Sequence, residues 1–145
     1  MGIGSSAYLF GMERIEYSQL NQGYEFPRTV YRIDSTMVAD YLGVIGETNT
    51  VYRDTGLVPP MAVAALAMAQ LSGNLSFPAG AIHVSQTFQF HRLASIQDSF
   101  TSCARVSRKH GRGKLRLMTI AIDVYNQKKG RVVSGETTFL LPASD

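Results

Sequence analysis

The stretch that decides the fold is 58–73, Val58-Pro59-Pro60-Met61-Ala62-Val63-Ala64-Ala65-Leu66-Ala67-Met68-Ala69-Gln70-Leu71-Ser72-Gly73. Two prolines open it, and proline suits the first turn of a helix because its missing N–H would find no partner there anyway. Gly73 is a natural stop signal. The spacing predicts a helix over Pro60–Ser72. It is apolar nearly all round, with Gln70 the one clear polar residue before its end. A helix of that kind is buried on most sides. Its five alanines allow another layer to pack very close, as a curved sheet would. The apolar-rich run Val58–Leu71 is too short to span a bilayer.

Downstream of this helix the chain reads as strands. Ala81–Phe90 alternates, with Ile82, Val84, Phe88 and Phe90 on one face and His83, Ser85, Thr87 and Gln89 on the other. Gln86 falls on the apolar side, where a buried amide must be hydrogen-bonded. Phe100–Val106, Lys114–Tyr125 and Arg131–Leu141 supply three further strands. The segments His110–Gly113 (HGRG) and Asn126–Gly130 (NQKKG) between them are hairpin signals.

Upstream, the segment to about Tyr24 is weakly patterned and reads as a flexible start, 1–15, followed by a lead-in strand. Phe26–Ile33 is rich in β-formers. Ser35 or Thr36 can cap a short helix through Leu42. Gly43 and Gly46 punctuate the chain after that helix, and Glu47–Asp54 forms a polar turn or short helix. One sheet wrapped around a single central helix satisfies this order and buries the helix. The expected class is therefore α+β, as one domain over 1–145.

The composition agrees with a globular chain. Of 145 residues, 45% are apolar and 17% charged, and the formal charge is +3. That charge is too mild to argue for nucleic acid. One cysteine, Cys103, excludes an internal disulfide framework and any multi-cysteine metal site, and in a strand it is an inert small apolar residue. No metal site is expected. The N-terminus shows no basic leader before an apolar run, so the expected location is the cytoplasm. Gly2 with Ser6 fits a myristoylation pattern only superficially.

The order of elements, with particular residues, resembles the hot-dog fold in its MaoC-like hydratase/dehydratase branch. Members carry Tyr/Phe…Gly-Asp-x-Asn-Pro-x-His ahead of the central helix; here Tyr41 and Leu42 precede Gly46-Glu47-Thr48-Asn49-Thr50-Val51-Tyr52. Members enter the helix with His-Gly-Met or Ala-Pro-Pro; here the entry is Val58-Pro59-Pro60-Met61. After the helix they show Gly-x-Ile-x-x-x-Gln-x-x-x-Phe, matched by Gly80, Ile82, Gln86 and Phe90, and the chain ends similarly with Gly135-Glu136-Thr137 before Leu141-Pro142. The pattern is most similar to the N-terminal, FAS1-like dehydratase half of two-domain MaoC enzymes. That branch usually carries a longer insert than Thr55–Val58 before its Pro-Pro, so the resemblance implies that the helical overhang above the substrate is shortened or absent here.

The resemblance implies an (R)-specific enoyl-thioester hydratase or 3-hydroxyacyl-thioester dehydratase component. In catalytic members the Asp and His activate water and move the proton, and a backbone N–H at the helix start polarises the thioester carbonyl. Those positions read Glu47, Tyr52 and Pro60. Glutamate keeps the acid one methylene further out. Tyrosine, with a pKa near 10, is a poor base at neutral pH. Proline has no N–H, and losing one oxyanion donor costs roughly 10²–10³ in rate. The implied site residues are Glu47, Asn49 and Tyr52 from the motif, with Pro60, Met61, His83 and Gln86 binding substrate. The implied substrate is an acyl-CoA or acyl-carrier-protein thioester, with no cofactor. The implied assembly is a homodimer, or a heterodimer with a second hot-dog subunit, without nucleic-acid or membrane partners.

Plainer readings stand beside each of these. Glu47 could pair with Arg53 or be solvated, Asn49 could shape its turn, and Tyr52 could be packing. His83 could face solvent or an interface, and Gln86 could bond the loop before the central helix. The basic run Arg108-Lys109-His110…Arg112…Lys114 reads as a solvated hairpin or as a site for the phosphates of coenzyme A. Two other functions compete. A hot-dog thioesterase would place an acid on or near the central helix, and Met61–Gln70 holds none. A non-enzymatic acyl-CoA-binding or assembly module would bind without turnover.

Overall fold

The computed structural model describes residues 14–142. The lead-in expected over 1–15 falls almost wholly outside that range, as does the Gly2/Ser6 pattern. The elements are, in order, β1 (Ile15–Glu16), a 3-10 turn (Tyr17–Gln19), β2 (Thr29–Tyr31), α1 (Ser35–Ile45), α2 (Val51–Thr55), β3 (Leu57–Val58), α3 (Pro60–Asn74), β4 (Leu75–Ser76), β5 (Ile82–Phe90), β6 (Ala94–Ser95), β7 (Phe100–Arg112), β8 (Leu115–Tyr125) and β9 (Arg131–Pro142). Five strands form one sheet in the order β2-β7-β8-β9-β5, and every neighbouring pair is antiparallel. The class is α+β, as the sequence order implies.

The core forms where period-2 strands meet the apolar helix. In β8, Met118, Ile120, Ile122 and Val124 are at most 1% exposed, because alternate side chains point to one face. They share a single core with Val63, Ala64, Leu66, Ala67 and Leu71 of α3. Each fully buried aliphatic or methionine side chain contributes about 1.5–3 kcal/mol. The helix is not sheathed all round: Met61, Ala69 and Ser72 form a stripe left exposed.

Several boundaries differ from expectation, each for a local reason. The central helix passes through Gly73 to Asn74, both buried, and Asn74 Nδ2 donates to the Gln70 carbonyl at 3.2 Å. It ends only where Leu75 becomes extended and pairs with Ile15. Asp34, not Ser35 or Thr36, caps α1 by accepting from the Met37 N–H at 2.9 Å. That helix continues past Leu42 to Ile45 and closes at Gly46, whose φ of 73° only glycine adopts cheaply. The strand expected over Phe26–Ile33 shortens to Thr29–Tyr31. Pro27 cannot donate to the ladder, although Phe26 N–H still reaches the Ala104 carbonyl and Val106 N–H the Tyr24 carbonyl, both at 2.9 Å.

The basic hairpin is also rearranged. Strand β7 runs on to Arg112 and β8 begins at Leu115, so the turn is Gly113–Lys114 rather than His110–Gly113. Lys109 is no solvated cation. Its Nζ donates to the carbonyls of Tyr17 at 3.1 Å and Leu20 at 2.5 Å and lies 4.1 Å from the Tyr17 ring centroid. Burial, and secondarily Arg116, pull its pKa below the ordinary lysine value.

Strand β5 carries the largest departure. A bulge lies between His83 and Ser85, and one extra residue reverses the facing of everything on the other side of it. His83 pairs with Phe139, Gln86 with Thr137, Phe88 with Gly135 and Phe90 with Val133. These β9 residues are themselves opposite Met118, Ile120, Ile122 and Val124, so all four β5 side chains share the inner face. His83 therefore does not lie with Ser85, Thr87 and Gln89, as uninterrupted alternation predicts.

Candidate functional site

Helix α1, the turn after it and helix α2 enclose a cleft of about 390 Å³. Ser35, Val38, Ala39, Leu42 and Gly43 form one wall, Glu47 to Thr50 with Tyr52 and Arg53 another, and Gly56 and Ile96 the floor. The three motif residues are thus brought together. Their arrangement comes from short-range chemistry. The Gly46 turn lets Glu47 N–H reach back to the Leu42 carbonyl at 3.0 Å. Glu47 Oε1 accepts from the Asn49 N–H at 2.8 Å, and Asn49 Oδ1 accepts from the Val51 N–H at 2.9 Å. Asn49 thereby closes an Asx turn one residue ahead of the α2 N-cap, Thr50, which is the turn-shaping role expected of an asparagine.

Arg53 does not pair with Glu47. Its partner is Asp54, at 3.8 Å with both side chains exposed, a pair worth little in water. Tyr52 is half-buried and packs against the core. Tyr41 packs against the same core, and its pKa is raised above the ordinary phenol value by burial and secondarily by Tyr52. The cleft is thus lined by the phenol residue Tyr52 and by Glu47, an exposed carboxylate with one oxygen held by the Asn49 backbone N–H. Pro60 is the first residue of α3 and contributes no N–H. The next-but-one donor, Ala62 N–H, is taken by the Pro59 carbonyl at 2.9 Å.

The other expected residues lie elsewhere. Pro60 and Met61 do not line this cleft, although Met61 is 45% exposed. His83 Nε2 is 2.8 Å from Thr137 Oγ1, and its ring stacks on Phe139 with centroids 5.0 Å apart. Gln86 does not reach the loop before α3. Its Nε2 donates to the Thr87 and Glu136 carbonyls, both at 3.1 Å, and its Oε1 is buried without a partner among the described residues. Within one chain, His83 and Gln86 belong to the sheet edge and not to the cleft. Sequence reasoning missed the α1 wall and Ile96. Ile96 N–H bonds the Gly56 carbonyl at 2.9 Å beside the β3–β6 pair, a contact with no local signature.

Among the described residues no group of three His, Cys, Asp or Glu side chains is placed to hold a metal ion. No described helix is long and apolar enough to cross a membrane.

No protein-family model matches the chain, and no curated protein matches it. Solved structures do. R-hydratase PhaJ1 from Pseudomonas aeruginosa is similar over 92% of this chain and 89% of its own, with a TM-score of 0.75 and 24% identity. The (R)-hydratase from A. caviae involved in PHA biosynthesis is similar over 85% of this chain and 98% of its own, with a TM-score of 0.71 and 21% identity. The HadBC 3R-hydroxyacyl-ACP dehydratase complex from Mycobacterium tuberculosis is similar over 82% of this chain and 96% of its own, with a TM-score of 0.66 and 17% identity. At these identities the likeness speaks to fold, and the chain has the hot-dog fold of the (R)-hydratases and MaoC-like dehydratases.

Proposed function

We propose that this chain is a hydratase/dehydratase-type hot-dog subunit that binds an acyl thioester, with catalytic groups altered from those of active members. The observation that carries this reading is the gathering of Glu47, Asn49 and Tyr52 in one cleft, at the positions where the family keeps its acid, its asparagine and its base. The alterations are chemical. Tyr52 is a poor proton acceptor, Pro60 cannot donate to a developing oxyanion, and one Glu47 oxygen is engaged by Asn49. The substrate class is an acyl-CoA or an acyl-carrier-protein thioester, without a resident cofactor. The setting is the cytoplasm, and the working unit is a dimer with itself or with a second hot-dog subunit. Support for a partner comes from heteromeric neighbours such as the HadBC complex and the ChsH1–ChsH2 complex from Mycobacterium tuberculosis.

The test combines calorimetric titration with crotonyl-CoA and an absorbance assay of its hydration. The expected result is saturable binding with little turnover by the pure protein. The double variant Glu47→Asp/Tyr52→His remains inactive, because Pro60 still lacks a donor. Robust hydration by the unmodified protein overturns the altered-subunit reading, and absence of thioester binding overturns the function as a whole. Release of free thiol would favour a thioesterase instead, a reading weakened by the lack of any acid on α3.

A further inference from the structure

We propose that the tip of the β7–β8 hairpin is a docking surface for an anionic lipid bilayer, with its cations meeting the headgroups and its aliphatic side chains entering the interface. The proposal goes beyond the thioester-binding reading and does not depend on it.

Charge is segregated along the chain. Ser99–Ile122 holds six of the fourteen Lys and Arg and no Asp or Glu. Lys109 stands opposite Met118, so it lies on the inner face, where it donates to the Tyr17 and Leu20 carbonyls. Arg108, His110 and Arg112 take the alternate positions, which face outward, and all three are exposed. Lys114 is exposed in the turn. The ion pairs among the described residues involve Arg53 and Arg131, so no described carboxylate neutralises these cations. Like charges held along one strand repel one another, and an anionic surface relieves that repulsion.

The register shows what lies beside them. His110 pairs with Leu117, Leu117 with Leu140 and Leu140 with Ile82. One row of the outer face therefore runs from an imidazole through three aliphatic side chains. The next row toward the tip is Arg112, Leu115 and Pro142. Leu115 is 52% exposed and Ile82 56%. Farther from the tip the same face turns acidic, with Glu136 beside Ala121 and Asp123 beside Cys103. An anionic surface is thus met tip first.

Composition and shape select the occupant. Cations flanking exposed aliphatic side chains make an interfacial membrane contact. Interfaces between proteins instead favour Tyr, Trp and Phe in a packed centre, and neither row holds one. The clefts at Glu47, Gln70 and Cys103 do not reach Arg112, Lys114 or Leu115, so none of them seats a partner helix there.

Vesicle flotation with the full chain tests this. The expected result is flotation with phosphatidylcholine–phosphatidylserine vesicles, none with pure phosphatidylcholine, and release as salt rises. Each cation near an anionic leaflet strengthens binding about five-fold, so Arg112→Gln/Lys114→Gln should lower the partition coefficient roughly 25-fold. Lys128→Gln/Lys129→Gln removes the same charge from the turn at the far end of β8, roughly 33 Å away. It should change partitioning less than about three-fold, because charges that distant are screened. Leu115→Gln should lower partitioning about ten-fold and keep the salt dependence. Flotation with neutral vesicles, or equal losses in the two double variants, overturns the proposal. Binding to polyglutamate without flotation on anionic vesicles also overturns it, in favour of an acidic protein partner. Release from vesicles by coenzyme A at constant ionic strength overturns it in favour of a nucleotide phosphate. Failure of crotonyl-CoA to bind in solution removes only the thioester reading, and failure to float removes only this one.

Discussion

Gly135→Ala is the sharpest test of how β5 is seated. Gly135 pairs with Phe88 across the β5–β9 ladder, and a Cβ built on it would lie 2.4 Å from the Thr87 carbonyl oxygen and 2.7 Å from Phe88 Cδ1. The ring could swing aside; the carbonyl cannot, because it belongs to the backbone of the paired strand. Relief requires the two strands to part by more than half an ångström at that point, which strains the hydrogen bonds that hold the edge strand β5 to β9. Overpacking of this kind costs typically 1–3 kcal/mol, and with a backbone obstacle we expect about 3 kcal/mol. For a chain of this size that corresponds to a fall in Tm of about 6–12 °C. The assay is urea and thermal unfolding monitored by circular dichroism, at one fixed protomer concentration because association shifts apparent stability. Gly43→Ala is the matched control. Gly43 lies inside α1 with nothing within 4 Å of a Cβ, so alanine there should gain about 0.5–1 kcal/mol. The reasoning is refuted if Gly135→Ala stays within about 0.5 kcal/mol of wild type. It is also refuted if adding Phe88→Ala restores the lost stability, since the ring and not the carbonyl would then have been the obstacle.

Three further outcomes rest on single contacts. Asn49→Ala removes the Asx-turn bond to the Val51 N–H and should cost about 0.5–1 kcal/mol together with a weakening of thioester binding, whereas Asn49→Asp should keep the turn; unfolding and titration read both. Lys109→Met removes two carbonyl contacts that hold the Tyr17–Leu20 segment and should cost about 1–2 kcal/mol, with faster amide exchange confined to that segment. Tyr31 is half-buried, and its hydroxyl, itself fully buried, has no hydrogen-bond partner among the described residues. Burial raises its pKa above the ordinary value of 10.0, an effect that Ser102 opposes without reaching bonding geometry. Its folded pKa thus exceeds its unfolded one, so its contribution is complete below about pH 10 and declines as the pH rises further. Tyr31→Phe should flatten the alkaline fall in unfolding free energy; an unchanged slope would contradict this assignment.

How far the residues announce the structure depends on the range of the interaction involved. The apolar, proline-led helix at Pro60 and the period-2 strands after it could be read directly, because burial of one helix and one sheet face is written into local periodicity. The Glu47–Asn49–Val51 turn was legible for the same reason: its bonds join residues two apart. The facing of His83 was not legible, because a single bulged residue reverses the alternation and the bulge is set by pairing with β9. Nor was the structural role of Lys109, whose carbonyl partners lie 92 and 89 residues earlier. The same holds for Ile96 on the cleft floor and for Gly135, which is glycine because the carbonyl of Thr87 passes over it. Local patterning established the class of fold and the composition of the motif. The grouping of that motif with α1, and its separation from His83 and Gln86, arose from strand order and register, which are settled only when distant segments compete to bury the same surface.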